Sequence, residues 1–166
     1  YRPIEQRLID TFGPYVGNTH SEASVTGTTM TRAYHFSHEI IKQHVNAGND
    51  DVIITAGSGM TTVVNKFQRI LGLTINEHWR KRIKVKQEDK PVVFLTHMEH
   101  HSNHTSWLET CAEVIVIEPD VEGLINYNHL EELLERYKNR PLKIGSFTAA
   151  SNVTGIIPDY HRMAKS

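Results

Sequence analysis

Cysteine occurs once in the 166 residues, at Cys111, so no disulfide framework is available and a reducing compartment is expected. No apolar run approaches the ~20 residues that a membrane-spanning helix needs. The opening residues, Tyr1-Arg2-Pro3-Ile4-Glu5, hold neither an apolar signal core nor an initiator methionine. The first absence points to a soluble, cytoplasmic protein with no membrane partner, and the second to a piece of a longer chain. A charge excess is missing too, with 18 basic residues against 19 acidic ones. A protein built to hold nucleic acid usually shows a clustered basic surplus, so no nucleic-acid partner is expected. The stretch 80–90 is basic, but Glu88 and Asp89 interrupt it and no aromatic ladder follows, which reads as a solvated surface.

What is present reads as one α/β domain. Three short runs rich in β-branched residues, at 52–54, 92–95 and 114–117, predict buried strands, and a more mixed fourth lies at 142–147. Helical stretches alternate with them, which predicts a three-layer arrangement: a mostly parallel sheet with flanking helices. The spacing predicts a helix over 34–46 that stops at Ala47-Gly48-Asn49-Asp50. Another is expected over 60–71, with an apolar stripe through Met60, Val63, Val64, Phe67, Ile70 and Leu71. A third is expected over 129–138, with Asn128 as N-cap, and a last one with Pro158 in its first turn. The segment 74–86 fits helix or loop.

Three segments follow expected strands and carry the chemistry. In Thr55-Ala56-Gly57-Ser58-Gly59-Met60-Thr61-Thr62, a glycine turn leads straight into a helix. Free N–H groups at a helix start attract phosphate, and glycine lets the backbone approach it; small residues needed for turn geometry alone are the other reading. Neither a Walker A loop nor a dinucleotide fingerprint is present. The second segment, Thr96-His97-Met98-Glu99-His100-His101-Ser102-Asn103-His104, follows the 92–95 run. Its four histidines suggest a metal site, yet they lack a recognised zinc spacing. At the carboxyl end of a parallel strand they suit a ligand crevice, where an imidazole can stack on an aromatic ligand; a merely exposed polar loop remains open. In the third, Ser151-Asn152-Val153-Thr154-Gly155, Asn152 offers an amide donor to a ligand or else satisfies the turn's backbone.

Taken in this order, Gly57-Ser58-Gly59, Glu99-His100-His101-x-Asn103 and Ser151-Asn152-Val153-x-Gly155 resemble the class V aminotransferase family, in particular its cysteine desulfurase and selenocysteine lyase branch. The segment 15–27, with Gly17-Asn18-Thr19-His20-Ser21, resembles the family's entrance segment, taken here as residues 1–33. The resemblance implies the amino-terminal part of the large domain of a fold-type-I enzyme using pyridoxal 5'-phosphate. It implies an amino-acid substrate and a homodimer in the complete form. Ser58 and Gly59 would lie under the cofactor phosphate, His100 would stack on its ring as the catalytic histidine, and Asn152 would lie near its phenolic oxygen and the substrate. Gly59-Met60 departs from the threonine and glutamate common after that turn.

The family's ring-nitrogen aspartate and its His-Lys pair, which supplies the Schiff-base lysine, have no match here, since no lysine of this sequence follows a histidine. These residues alone are therefore expected to lack turnover, and Cys111 does not match the desulfurase nucleophile. In the family's sheet order the 52–54 strand would also have no neighbour to pair with. Two other classes stay in view: a metal-binding module built on His97, His100, His101 and His104, and a non-catalytic α/β interaction domain.

Overall fold

The structure, a computed structural model, describes residues 1–166 as two compact units, Tyr1–Ile54 and Thr55–Ser166. The first unit contains the expected entrance segment and is helical. Helix α1 spans Arg2–Phe12 with Pro3 in its first turn, where a missing N–H costs nothing. No element is expected there from the sequence. Helix α2 runs over Val25–His44 and begins well before the expected residue 34. Ser24 caps it by accepting from the Gly27 N–H at 3.1 Å. The threonines of its first turns carry poor helix propensity, but the Thr29 hydroxyl finds the Val25 carbonyl at 2.8 Å, and Thr31 Oγ1 accepts from the His20 N–H. Gly27 is required, because a Cβ would meet the Ser21 carbonyl oxygen at 2.5 Å.

The expected strand at 52–54 is absent. Val52 is 78% exposed and Ile54 46% exposed, and the segment pairs with nothing. β-branched residues favour a pleated surface only where a neighbouring strand and a packed face exist.

The second unit is the α/β layer structure. Helix α3 (Met60–Ile70) and a short α4 (Glu77–Arg80) precede strand β1 (Val92–Thr96). Then follow α5 (His101–Leu108), β2 (Glu113–Ile117), α6 (Tyr127–Arg136), β3 (Lys143–Gly145) and α7 (Tyr160–Lys165). The sheet is parallel in the order β2-β1-β3, with Phe94 opposite Ile115 on one side and Gly145 on the other. Alternation along β1 divides the core. Val92 and Phe94 pack with Ile117, Leu130, Leu133 and Met163 on the α6/α7 face. Val93 and Leu95 pack with Trp107 and Leu73 on the opposite face, beside α3 and α5.

Two caps differ from expectation. Asn126, not Asn128, starts α6, since its side chain accepts from the His129 N–H at 3.0 Å. Asp159 caps α7 through the Arg162 N–H, which leaves Pro158 just outside the first turn.

At the amino ends of the strands Glu113 is a junction. Its carboxylate pairs with Arg140 and accepts from Gln87 Nε2 at 2.7 Å and from the Tyr137 hydroxyl at 3.0 Å. Arg140 also donates to the Gln87 and Lys90 carbonyls and lies over the Tyr137 ring. The pair is largely sheltered, at 12% and 24% side-chain exposure. Glu113→Ala is expected to destabilise by about 2 kcal/mol in urea unfolding, because Arg140 would keep its burial and lose its counter-charge. Burial first, and then the hydrogen bond to Glu113, raise the Tyr137 pKa above the ordinary tyrosine value of about 10. The folded chain keeps that proton when the unfolded chain releases it. This stabilisation is therefore complete below about pH 10 and is lost as pH rises through the folded value. As pH rises above about 10, the urea midpoint of the unaltered chain should fall more steeply than that of Tyr137→Phe.

Candidate functional site

Parallel strands leave a crevice beyond their carboxyl ends, and that is where this unit opens. A cavity of about 520 Å³ lies beyond β1 and β3. His100, Glu99 and Asn103 form one wall, Met60, Thr61 and Val64 of α3 another, and residues 146–149 after β3 the third. The size falls within the ~300–1,000 Å³ of small-ligand sites. No lysine is among its walls.

His100 is the N-cap of α5. Its Nδ1 accepts from the Ser102 backbone N–H at 3.1 Å and lies 2.8 Å from the Ser102 hydroxyl. A backbone N–H only donates, so Nδ1 is an acceptor and the ring proton sits on Nε2. The other three histidines of the segment do not join it. His97 Nε2 contacts the Gly123 carbonyl at 3.0 Å, and nowhere in the chain do three His, Cys, Asp or Glu side chains group to hold a metal.

Ser58 and Gly59 lie directly before Met60 at the start of α3. Gly59 is the N-cap, has no side chain to cap with, and a Cβ built there would meet nothing within 4 Å. The cavity reaches this helix start at Met60 and Thr61, whose N–H groups make no backbone hydrogen bond; those of Thr62 and Val63 bond back to the Gly59 carbonyl, and Ser58 and Gly59 are not among the walls. Gly57 differs: its φ of +56° is left-handed, and a Cβ would strike the Thr62 side chain at 2.6 Å. Asn152 is exposed in a turn whose geometry rests on Ser151. The Ser151 hydroxyl accepts from the Val153 and Thr154 N–H groups, and Gly155 takes φ +74°. Asn152 is not among the cavity walls.

The residues that sequence reasoning missed form the polar floor. Glu99 Oε1 accepts from the Thr96 hydroxyl at 2.7 Å and the Thr148 N–H at 2.8 Å, while Oε2 accepts from Asn103 Nδ2 at 2.9 Å. Asn103 Nδ2 also reaches the Ser146 carbonyl, and Asn103 Oδ1 accepts from Trp107 Nε1 and the Ser146 hydroxyl, each at 3.0 Å. Glu99 and Asn103 stand in the quoted motif. Their partners Ser146 and Thr148 are distant in sequence and become visible only once β3 is known to lie beside β1.

This geometry has counterparts among known proteins. The aminotransferase class-V family model matches residues 2–166, and the chain belongs to that family. Within it the similarity is to cysteine desulfurases. A probable cysteine desulfurase of Chlamydia trachomatis is 24% identical over 161 residues, covering 92% of this chain and 36% of that protein. One of Halalkalibacterium halodurans is 26% identical, covering 98% and 37% respectively. The chain thus spans little more than a third of these relatives' length. The crystal structure of the Escherichia coli cysteine desulfurase CsdA superposes with a TM-score of 0.61 at 22% identity, over 96% of this chain and 38% of that one. That likeness bears out the expected α/β fold, with a parallel sheet and flanking helices.

Glu99→Ala would leave the Thr148 N–H and the Thr96 hydroxyl without their acceptor and would remove one of the two acceptors of Asn103 Nδ2. A loss of about 2 kcal/mol in chemical denaturation is expected, with Glu99→Gln recovering part of it because one oxygen remains.

Proposed function

We propose that these residues form the phosphate and ring-stacking part of a pyridoxal 5'-phosphate site, in an enzyme that acts on an amino acid in the manner of cysteine desulfurases. The cavity between His100 and the uncapped start of α3 carries this reading. The fit is chemical: open N–H groups and hydroxyls at one wall suit a phosphate, and an imidazole with apolar Met60, Val64 and Phe147 suits a flat ring. When bound, the cofactor supplies an electron sink for carbanion character at the amino acid's α-carbon. Ser58 and Gly59 receive the phosphate, His100 lies against the ring, and its Nε2–H is available as a donor toward substrate. Asn152, shortly beyond the wall residue Ala149, is assigned to the substrate rim. Cleavage of a carbon–sulfur or carbon–selenium bond, or amino transfer, is the class of reaction proposed for the whole enzyme. These residues supply non-covalent contacts, to the phosphate and to the ring.

The glycines separate binding from folding. A methyl group at Gly59 meets nothing in the protein but occupies the phosphate cradle, whereas one at Gly57 is strained in the fold itself. In titrations followed by pyridoxal phosphate absorbance and induced circular dichroism, Gly59→Ala should weaken binding about tenfold, a difference of about 1.4 kcal/mol. Its melting midpoint should stay that of the unaltered chain. Gly57→Ala should lower the midpoint. His100→Ala should weaken binding by a similar factor, and His100→Phe should restore part of it through stacking. Unsaturable binding, or Gly59→Ala binding as tightly as the unaltered chain, would sink the assignment.

A further inference from the structure

We infer that a second cavity, at the amino ends of β1 and β2, binds a small organic dianion with an apolar body. This cavity of about 450 Å³ shares no residue with the first and lies at the opposite end of the strands, since Lys90 precedes β1 and residues 110–112 precede β2. Arg80, Lys84 and Lys90 line it, and no acidic residue does. None of the three cations makes an ion pair, although Lys86 nearby pairs with Glu88 and Arg140 with Glu113. The Arg80 guanidinium is held by a neutral partner, the Glu109 carbonyl, which fixes its position and leaves its charge uncompensated.

Three unneutralised cations around one concave site create a field that concentrates an anion, and a guanidinium fork suits carboxylate or phosphate oxygens. The remaining lining selects the rest of the ligand. Ile75, Ile83 and Val85 give the cavity an apolar side, which an inorganic ion would leave wet. A double charge on a compact apolar body therefore fits best, as in a phosphate monoester or a dicarboxylate. Cys111 also lines the cavity and is the chain's single thiol, so its accessibility reports on occupancy.

Calorimetry on the full chain would use phenyl phosphate and phenylsuccinate as probes, with inorganic phosphate and benzyl alcohol as controls. One of the two organic dianions should bind at this cavity with an affinity that Gly59→Ala at the first cavity leaves unchanged, and the tighter one identifies the head group. Binding should weaken about tenfold or more in the Lys84→Gln/Lys90→Gln double variant. Arg82→Gln, whose side chain lies over Trp79 outside the cavity, should leave it unchanged. Raising salt to about 0.5 M should weaken binding through screening. Alkylation of Cys111 by neutral iodoacetamide should slow as the site fills. Equal affinity in the double variant, equal affinity for either control, or an unchanged alkylation rate would overturn the inference. Pyridoxal phosphate binding at the first cavity should survive the double variant, so the two sites fail independently.

Discussion

Strand β1 is the constraint on which the second unit depends. All five of its residues are buried, with Val92, Val93 and Leu95 fully so, and both of its edges are paired. A strand enclosed in this way has nowhere to place a polar side chain except at its end, and Thr96 is the first residue to carry one. Burying the apolar strand residues removes area from water worth roughly 25 cal/mol per Å². Satisfying the backbone of so dry a strand requires β2 and β3 on either side. The position of the cavity follows, because the chain leaves β1 and β3 at the same end of the sheet.

The sheet is fastened at both ends by a carboxylate. Glu113 gathers Arg140, Tyr137 and Gln87 at the amino end, and Glu99 gathers Thr96, Thr148 and Asn103 at the carboxyl end. These duties limit what the two acids do chemically. Glu99 borders the cavity, yet both of its oxygens already accept from the protein. It is therefore a positioning residue, which holds the loops after β1 and β3 at a fixed separation. Its charge suits the task, because hydrogen bonds to an ionised acceptor are about twice as strong as neutral ones.

Local pattern made some of this legible in the sequence and hid the rest. The stripe from Met60 to Ile70 and the Leu130/Leu133 pair predicted α3 and α6 to within a turn, because helical periodicity is encoded by nearby residues. The 92–95 and 114–117 runs became strands because each found a neighbour. The 52–54 run has the same composition and none, so the same propensity yielded an exposed extended segment. Asn126 and Asn128 are equally good caps as residues, and only the register of α6 separates them. Within the site, His100 stands out in the sequence only through the family resemblance, since its place at a strand's end fits an exposed loop equally well. The floor was not, since the contacts from Asn103 to Ser146 and from Glu99 to Thr148 cross more than forty residues of chain.

The choice of histidine at position 100 also has a structural side. Any aromatic ring there could face a flat ligand, but a phenyl or indole ring has no acceptor for the Ser102 N–H. That N–H is one of the open donors at the start of α5, and the imidazole Nδ1 satisfies it. The cap also ties the ring to the helix, so its orientation is set when α5 forms and not when a ligand arrives. Helix α5 is in turn anchored by Trp107, which is buried against Val93 and Leu95 of β1 and hydrogen-bonded to Ser146 beside the cavity. The His100 ring is therefore positioned by the same strand that organises the core. Under the proposed function, binding has little side-chain entropy to remove at His100, which is how a preorganised site gains affinity without further contacts.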